Sequence, residues 1–405
     1  MDKLAFPDGF LWGAATSSHQ VEGNTDNDWS EWEKSPNRMR NLEKAGLIEK
    51  YGRENFISGI GADRYRRFRE DFRLAHELGH SAARLSIEWS RVEPREGFFD
   101  ADAIKHYQEV VKTVKSEDME PFVTLWHWTV PAWFRDKGGF EKKSNIRYFA
   151  RFAEKIVAEL PGVAFWITLN EPEIYTVTSY WQGAWPPQKQ NPIAVLRVFH
   201  NLIRAHRASY ALIKNINPAA NVGIAKNNSY FESYKNRPVN FLLKMLFDYF
   251  WNSYFLNRIR REQDFIGLNY YHHNRIKGGA FRNENKKVSD LGWELYPEGI
   301  FHVLCDLKKY NVPVYITENG LADAEDKYRA WFIEETLKNV HRAIGAGVDV
   351  RGYMHWALMD NFEWAHGFWP RFGLIEIDYG TKVRRPRASA LVYKKICEEN
   401  AIEAS

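Results

Sequence analysis

Cysteine is nearly absent: Cys305 and Cys397 are the only two in 405 residues, far apart and in no CxxC pair. They supply neither a disulfide framework nor a thiolate metal site, so reduced thiols are expected. Residues 1–10 lack a basic segment followed by an apolar run, which predicts no secretory leader and a cytoplasmic location. No uncharged apolar run reaches the roughly 18 residues that a bilayer crossing needs, so no membrane partner is expected. Charge of one sign is lacking too. The 56 basic and 52 acidic residues are interspersed, for a net +4, which excludes the concentrated positive field of a nucleic-acid binder. There is no HExxH, no close His/Asp cluster and no glycine-rich phosphate cradle, so no metal and no cofactor is expected. No low-complexity linker divides the chain, and a single domain is predicted over 1–405.

Aromatic residues are abundant, at 15% with 16 Trp, more than packing normally requires, as suits a protein that stacks on flat apolar faces such as sugar rings. Short apolar runs alternate with helix-like stretches eight times. They begin at Phe10, Ser81, Pro121, Phe165, Asn221, Phe265, Pro313 and Val350, and amphipathic segments such as Tyr65 to Leu78, Ile146 to Leu160 and Arg329 to Ile344 lie between them. Apolar strands buried on both faces and separated by helices make a parallel sheet. Eight such units predict an α/β fold, a closed (β/α)₈ TIM barrel, with an open doubly wound sheet as the alternative.

Active sites of such barrels gather at the carboxyl ends of the strands. Polar residues stand there: Arg84 in the second run, His127 after the third, Asn170 and Glu171 closing the fourth, Asn269 and Tyr271 the sixth, Glu318 the seventh. Trp356 closes the eighth. Cleaving a glycosidic bond requires a proton for the leaving oxygen and a nucleophile or activated water for the anomeric carbon, hence two carboxyl groups. Glu171 in ThrLeuAsnGluPro and Glu318 in IleThrGluAsnGly are the candidates. A lone glutamate at a strand end is commonly a helix cap or an ion-pair partner; two at matching positions point to chemistry.

With PheLeuTrpGlyAlaAlaThrSerSerHisGlnValGluGly at 10–23, AspPheIleGlyLeuAsnTyrTyr at 264–271 and AspAsnPheGluTrp at 360–364, these motifs resemble glycoside hydrolase family 1, the β-glucosidase and β-galactosidase family, over nearly the whole length. The resemblance implies that Glu171 is the general acid/base and Glu318 the nucleophile of a retaining β-glycosidase, with Arg84, Asn269 and Tyr271 supporting the pair. It further implies that Gln20, His127, Asn170, Glu363 and Trp364 hydrogen-bond the glycone, that Trp356 stacks beneath it, and that Trp128 and Phe372 help line the site. Small β-glycosides or short oligosaccharides are the implied substrates. A cis peptide after Trp356 is also implied.

One segment departs from that pattern. The chain between Asn221 and Phe265 is short, and Phe241 to Leu256 is apolar or aromatic except for Lys244, Asp248, Asn252 and Ser253, the first three spaced as one polar stripe on a single helix. The simple expectation is a barrel helix packed on the strands and covered. The alternative is an open flank whose aromatics are accessible to a bulky aglycone, a partner chain or a flat ligand.

Overall fold

The structure, a computed structural model, describes residues 3–404; residues 1, 2 and 405 lie outside it. Eight parallel strands close into a barrel: β1 (Leu11–Ala15), β2 (Ala82–Ser86), β3 (Glu120–Trp126), β4 (Phe165–Asn170), β5 (Asn221–Asn227), β6 (Ile266–Tyr270), β7 (Val314–Asn319) and β8 (Val350–Trp356), with β8 beside β1. Each coincides with one of the eight apolar runs. Those runs become strands because they are short, rich in β-branched and aromatic residues, and buried on both faces. Close pairing dictates some residues absolutely: a Cβ on Gly13 of β1 would come within 2.1 Å of the Ala82 carbonyl oxygen of β2.

Eight principal helices follow the strands in turn: α1 (Arg64–Glu77), α2 (Ala101–Ser116), α3 (Ile146–Glu159), α4 (Pro192–Ile216), α5 (Pro238–Asp248), α6 (Gly299–Leu307), α7 (Arg329–Gly345) and α8 (Ala388–Glu399). In α3 the buried residues are Tyr148, Phe149, Phe152, Ala153, Ile156 and Val157, the single apolar face that a helix laid against a sheet must present. The amino-terminal end of the barrel is plugged by rings. Phe122 and Phe165 stack at 4.2 Å, and Tyr315 packs against them at 5.2 and 5.4 Å. Packing therefore closes one end and leaves the carboxyl end to polar side chains.

The segment after β5 departs from the simple expectation. The predicted single helix is α5, a π-helical turn at Tyr249–Ser253 and a short helix at Tyr254–Arg258, laid on a side sheet of Tyr230–Ser233, His273–Lys277 and Ala280–Phe281. It is not covered. Phe241, Leu242, Met245, Leu246, Tyr249 and Phe250 are exposed, while Phe255 and Leu256 are buried. Among the described residues no helix is long and apolar enough to cross a membrane.

Candidate active site

Both glutamates stand at the carboxyl rim of the barrel and are 4% exposed. Glu171 is the turn between β4 and a short helix at Pro172–Thr176, with φ +40°, a left-handed conformation costing about 1–3 kcal/mol in a non-glycine residue. Its N–H donates to the Ala225 carbonyl of β5 at 2.7 Å, which fixes that turn to the barrel. Trp128 and Trp364, also in the pocket wall, share positive φ values of 75° and 47°. Three strained residues thus meet at one cleft.

The two carboxyls have unlike company. Glu318 forms an ion pair with the buried Arg84 guanidinium and accepts from the Tyr271 hydroxyl at 2.9 Å. Glu171 accepts only amide donors, from Asn269 at 2.7 Å and Asn227 at 3.2 Å. Burial pushes the Glu318 carboxyl up, opposed by Arg84, Tyr271 and Asn269. Burial also pushes Glu171 well above its ordinary value, and there the charges of Glu318 and Glu173 add to the rise. With a cation bonded directly to Glu318 and only amides bonded to Glu171, Glu318 ionises first and Glu171 keeps its proton.

The other sequence-predicted residues converge on the same cleft, about 200 Å³ in volume. Arg84 donates to the Asn170 side-chain oxygen at 2.7 Å, which orients the Asn170 amide to donate to Nε2 of His127 at 3.1 Å. His127 is held neutral by burial and by Arg84, so its remaining proton lies on Nδ1, a buried donor with no partner among the described residues. An orphan buried donor in a cleft is what a ligand hydroxyl would satisfy. Trp356 lies nearly parallel to the His127 ring at 5.9 Å, and its bond to Ala357 is cis. Gln20 donates to Glu363 at 3.4 Å and Asn361 donates to the same carboxyl oxygen at 3.0 Å. Trp128 and Trp364 stand 4.8 Å apart, and Phe372 completes the wall.

The sequence profile of glycosyl hydrolase family 1 matches residues 2–259 and 241–402. The chain belongs to glycosyl hydrolase family 1. It is similar to beta-glucosidase A of Thermotoga maritima, 29% identical over an alignment of 458 residues that covers 100% of both chains. It is also similar to the beta-galactosidase of Saccharolobus solfataricus, at 30% identity over 98% of this chain and 96% of that one. Among solved structures, a beta-glycosidase from Pyrococcus horikoshii superposes with a TM-score of 0.89 at 36% identity, covering 99% and 97% of the two chains. A Thermotoga maritima beta-glucosidase in complex with glucoimidazole superposes with a TM-score of 0.91 at 28% identity over 98% of this chain and 99% of that one. This family 1 chain is accordingly a glycoside hydrolase of the β-glucosidase type.

Several residues that line the cleft carry no signal in the sequence. Asn227 is one, although it closes β5 just as Asn170 closes β4; the polar Lys226 before it separates it from the apolar run. His272 and Trp293, 4.6 Å apart, form an outer wall with no motif to mark them. Behind Glu171 lies a buried ion pair, Lys226 to Glu173 at 2.8 Å, with side chains 0% and 3% exposed. Glu173 also accepts from the Asn227 N–H at 2.8 Å, so the pair holds the residue whose amide reaches Glu171. Glu173→Gln removes one of the charges that raise the Glu171 pKa. With Glu171 as the general acid, activity is expected to fall as pH rises through its pKa, so the alkaline limb of kcat/KM should move down by about one pH unit. The stranded Lys226 should cost about 3–5 kcal/mol of stability, and adding Lys226→Met should restore much of it. An alkaline limb that stays in place in the folded variant would remove Glu173 from the tuning of Glu171.

Proposed function

We propose that the protein is a single-domain retaining β-glycosidase. It releases terminal non-reducing β-D-glucosyl residues, and β-D-galactosyl or β-D-fucosyl residues, from small β-glycosides and short oligosaccharides. The observation that carries this reading is the unequal environment of the two carboxyls: Glu318 is ion-paired directly with Arg84, whereas Glu171 is bonded to amides and raised by the charges of Glu318 and Glu173.

In the first step Glu171 gives its proton to the glycosidic oxygen as the bond from that oxygen to the anomeric carbon breaks. A Glu318 oxygen bonds to the same carbon from the opposite face and forms a glycosyl ester. Esterification removes the negative charge on Glu318, so the Glu171 pKa falls and the resulting carboxylate can accept a proton from water. Water then attacks the anomeric carbon, the ester bond breaks and Glu318 leaves as carboxylate. Two inversions give net retention. Asn170, fixed by Arg84, would hold the 2-hydroxyl, a contact that strengthens as the ring gains oxocarbenium character.

The test is the anomer released first, followed by proton NMR before mutarotation. Retention gives the β-anomer, and initial release of the α-anomer would overturn the mechanism. A second measurement addresses the glycone. Burial pushes the Glu363 carboxyl up to about 7, so at neutral pH and above an increasing fraction is negative and repels a 6-phosphate. Plain nitrophenyl β-glycosides should therefore be cleaved in preference to their 6-phosphorylated forms, the margin widening from pH 6 to 8. The opposite order would reassign the glycone.

A further inference from the structure

The helix after β5 is built inside out. Asn240, Lys244, Asp248 and Asn252 recur every four residues and face the protein. Asn240 bonds the Tyr234 carbonyl at 2.7 Å and the Gly278 N–H at 2.9 Å, while Asn252 bonds Asp248 at 2.7 Å and both backbone groups of Ser229. The opposite stripe, Leu242, Met245, Leu246, Tyr249 and Phe250, follows the i, i+3, i+4, i+7, i+8 spacing of a core-facing helix, yet these residues are 44–58% exposed. Tyr254 carries the surface onto α4: it bonds His200 at 2.9 Å, packs on Phe250 and Phe199, and leads to Ile193 and Leu196, 66% and 62% exposed. At about half exposure, this continuous face amounts to on the order of 700 Å², above the few hundred usual for the largest patch on a monomer.

Charge selects what the face takes. On residues 192–207, 235–260 and 277–282, the segments that carry or border it, every exposed charged residue is basic, including Arg197, Lys235, Arg237, Lys277 and Arg282. The acidic groups nearby have basic company. Glu141 is bound by Lys189 and Arg197, and Asp306 on α6, which faces the like charge of Asp248, also has Lys309 and Lys244 near it. Two copies meeting through this face would set basic rim against basic rim. An apolar stripe flanked by Lys and Arg, with Tyr249 at its edge, matches instead the interface of a bilayer with anionic headgroups. The matches to the family profile end and restart within residues 241–259, and an alignment of 458 residues accommodates this chain of 405. We read this as a connection shortened at the helix, which leaves the face uncovered.

We propose that the outward face of α5, its π-helical turn and the start of α4 is a docking surface for a membrane rich in anionic lipids. Docking requires no spanning segment, so the absence of a long apolar run does not oppose it. The surface is joined to the catalytic cleft: Lys226, beside Glu173, donates to the Trp251 carbonyl inside the π-helical turn at 2.7 Å.

Flotation of the full-length protein with phosphatidylglycerol/phosphatidylcholine vesicles, with pure phosphatidylcholine vesicles and without lipid tests this. Co-flotation with the anionic vesicles is expected, weakening with salt. It should fall about tenfold or more in Leu242→Glu/Leu246→Glu and in Lys235→Glu/Arg237→Glu, while hydrolysis of a soluble nitrophenyl β-glucoside stays unchanged in both. The proposal is overturned if the wild type does not float, or if either active variant floats as well as the wild type. It is equally overturned if light scattering shows a dimer that Leu242→Glu/Leu246→Glu converts to monomer, because a second copy would then cover the face.

Discussion

Glu318→Gly should lower kcat for a β-glucoside by about 10⁴–10⁶-fold, roughly 5–8 kcal/mol of transition-state stabilisation, because the covalent route disappears. The fold should survive, since the side chain ends in a cleft, although Arg84 and Tyr271 lose their shared acceptor. The glycine leaves room for a small anion against the anomeric carbon, beside the positive Arg84. Azide should therefore restore turnover of an aryl β-glucoside. Its nitrogen bonds the carbon as the aryl oxygen leaves with the proton from Glu171, and the product is the α-glycosyl azide, inverted because one displacement has replaced two. A β-glycosyl azide from this variant, or near-normal hydrolysis without azide, would remove Glu318 from the role of nucleophile.

Glu171→Ala should divide substrates by their leaving groups. Alkyl glucosides and disaccharides need a proton on the departing oxygen and should lose about 10²–10⁴-fold in kcat/KM. Dinitrophenyl glucosides leave as stable anions and should keep kcat/KM within about tenfold. Their kcat should fall further than kcat/KM, because the second step loses its base and the glycosyl ester on Glu318 accumulates. Azide should relieve that step and give the β-glycosyl azide, the stereochemical opposite of the Glu318→Gly product. The alkaline limb of kcat/KM should flatten as well, since the group raised by burial and by Glu318 is gone. Equal losses on good and poor leaving groups would mean that Glu171 acts through structure rather than as an acid.

The barrel was legible because its signals are local. Each strand is a short run buried on both faces, and burial on both faces leaves little but apolar residues between the turns. The candidate site was legible for a related reason. A barrel delivers its site from strand ends, so each group arrives at the end of its own apolar run, as Asn170 does at the end of β4, Glu171 just after it and Glu318 within β7. What escaped notice is what depends on a partner elsewhere in the chain. Lys226 in ValGlyIleAlaLysAsn reads as the polar end of a strand, and only the fold reveals that it is buried against Glu173. His272 and Trp293 become neighbours through a loop whose path no motif encodes.

The sequence by itself determined the eight-fold alternation of strand and helix, the two glutamates at matching strand ends and the family they signal, because contiguous residues carry all three. The family motifs already implied that Glu171 is the acid; only the tertiary structure supplied the physical reason that it keeps its proton, since that depends on where Arg84 of β2 places its charge across the barrel. It also decided the sense of α5. Periodicity draws the line between the polar and apolar sides of a helix, but which side faces the protein depends on the neighbours that receive it. Here the side sheet and Ser229 offer backbone groups to Asn240 and Asn252, the polar stripe turns inward to bond them, and the apolar stripe is left facing solvent.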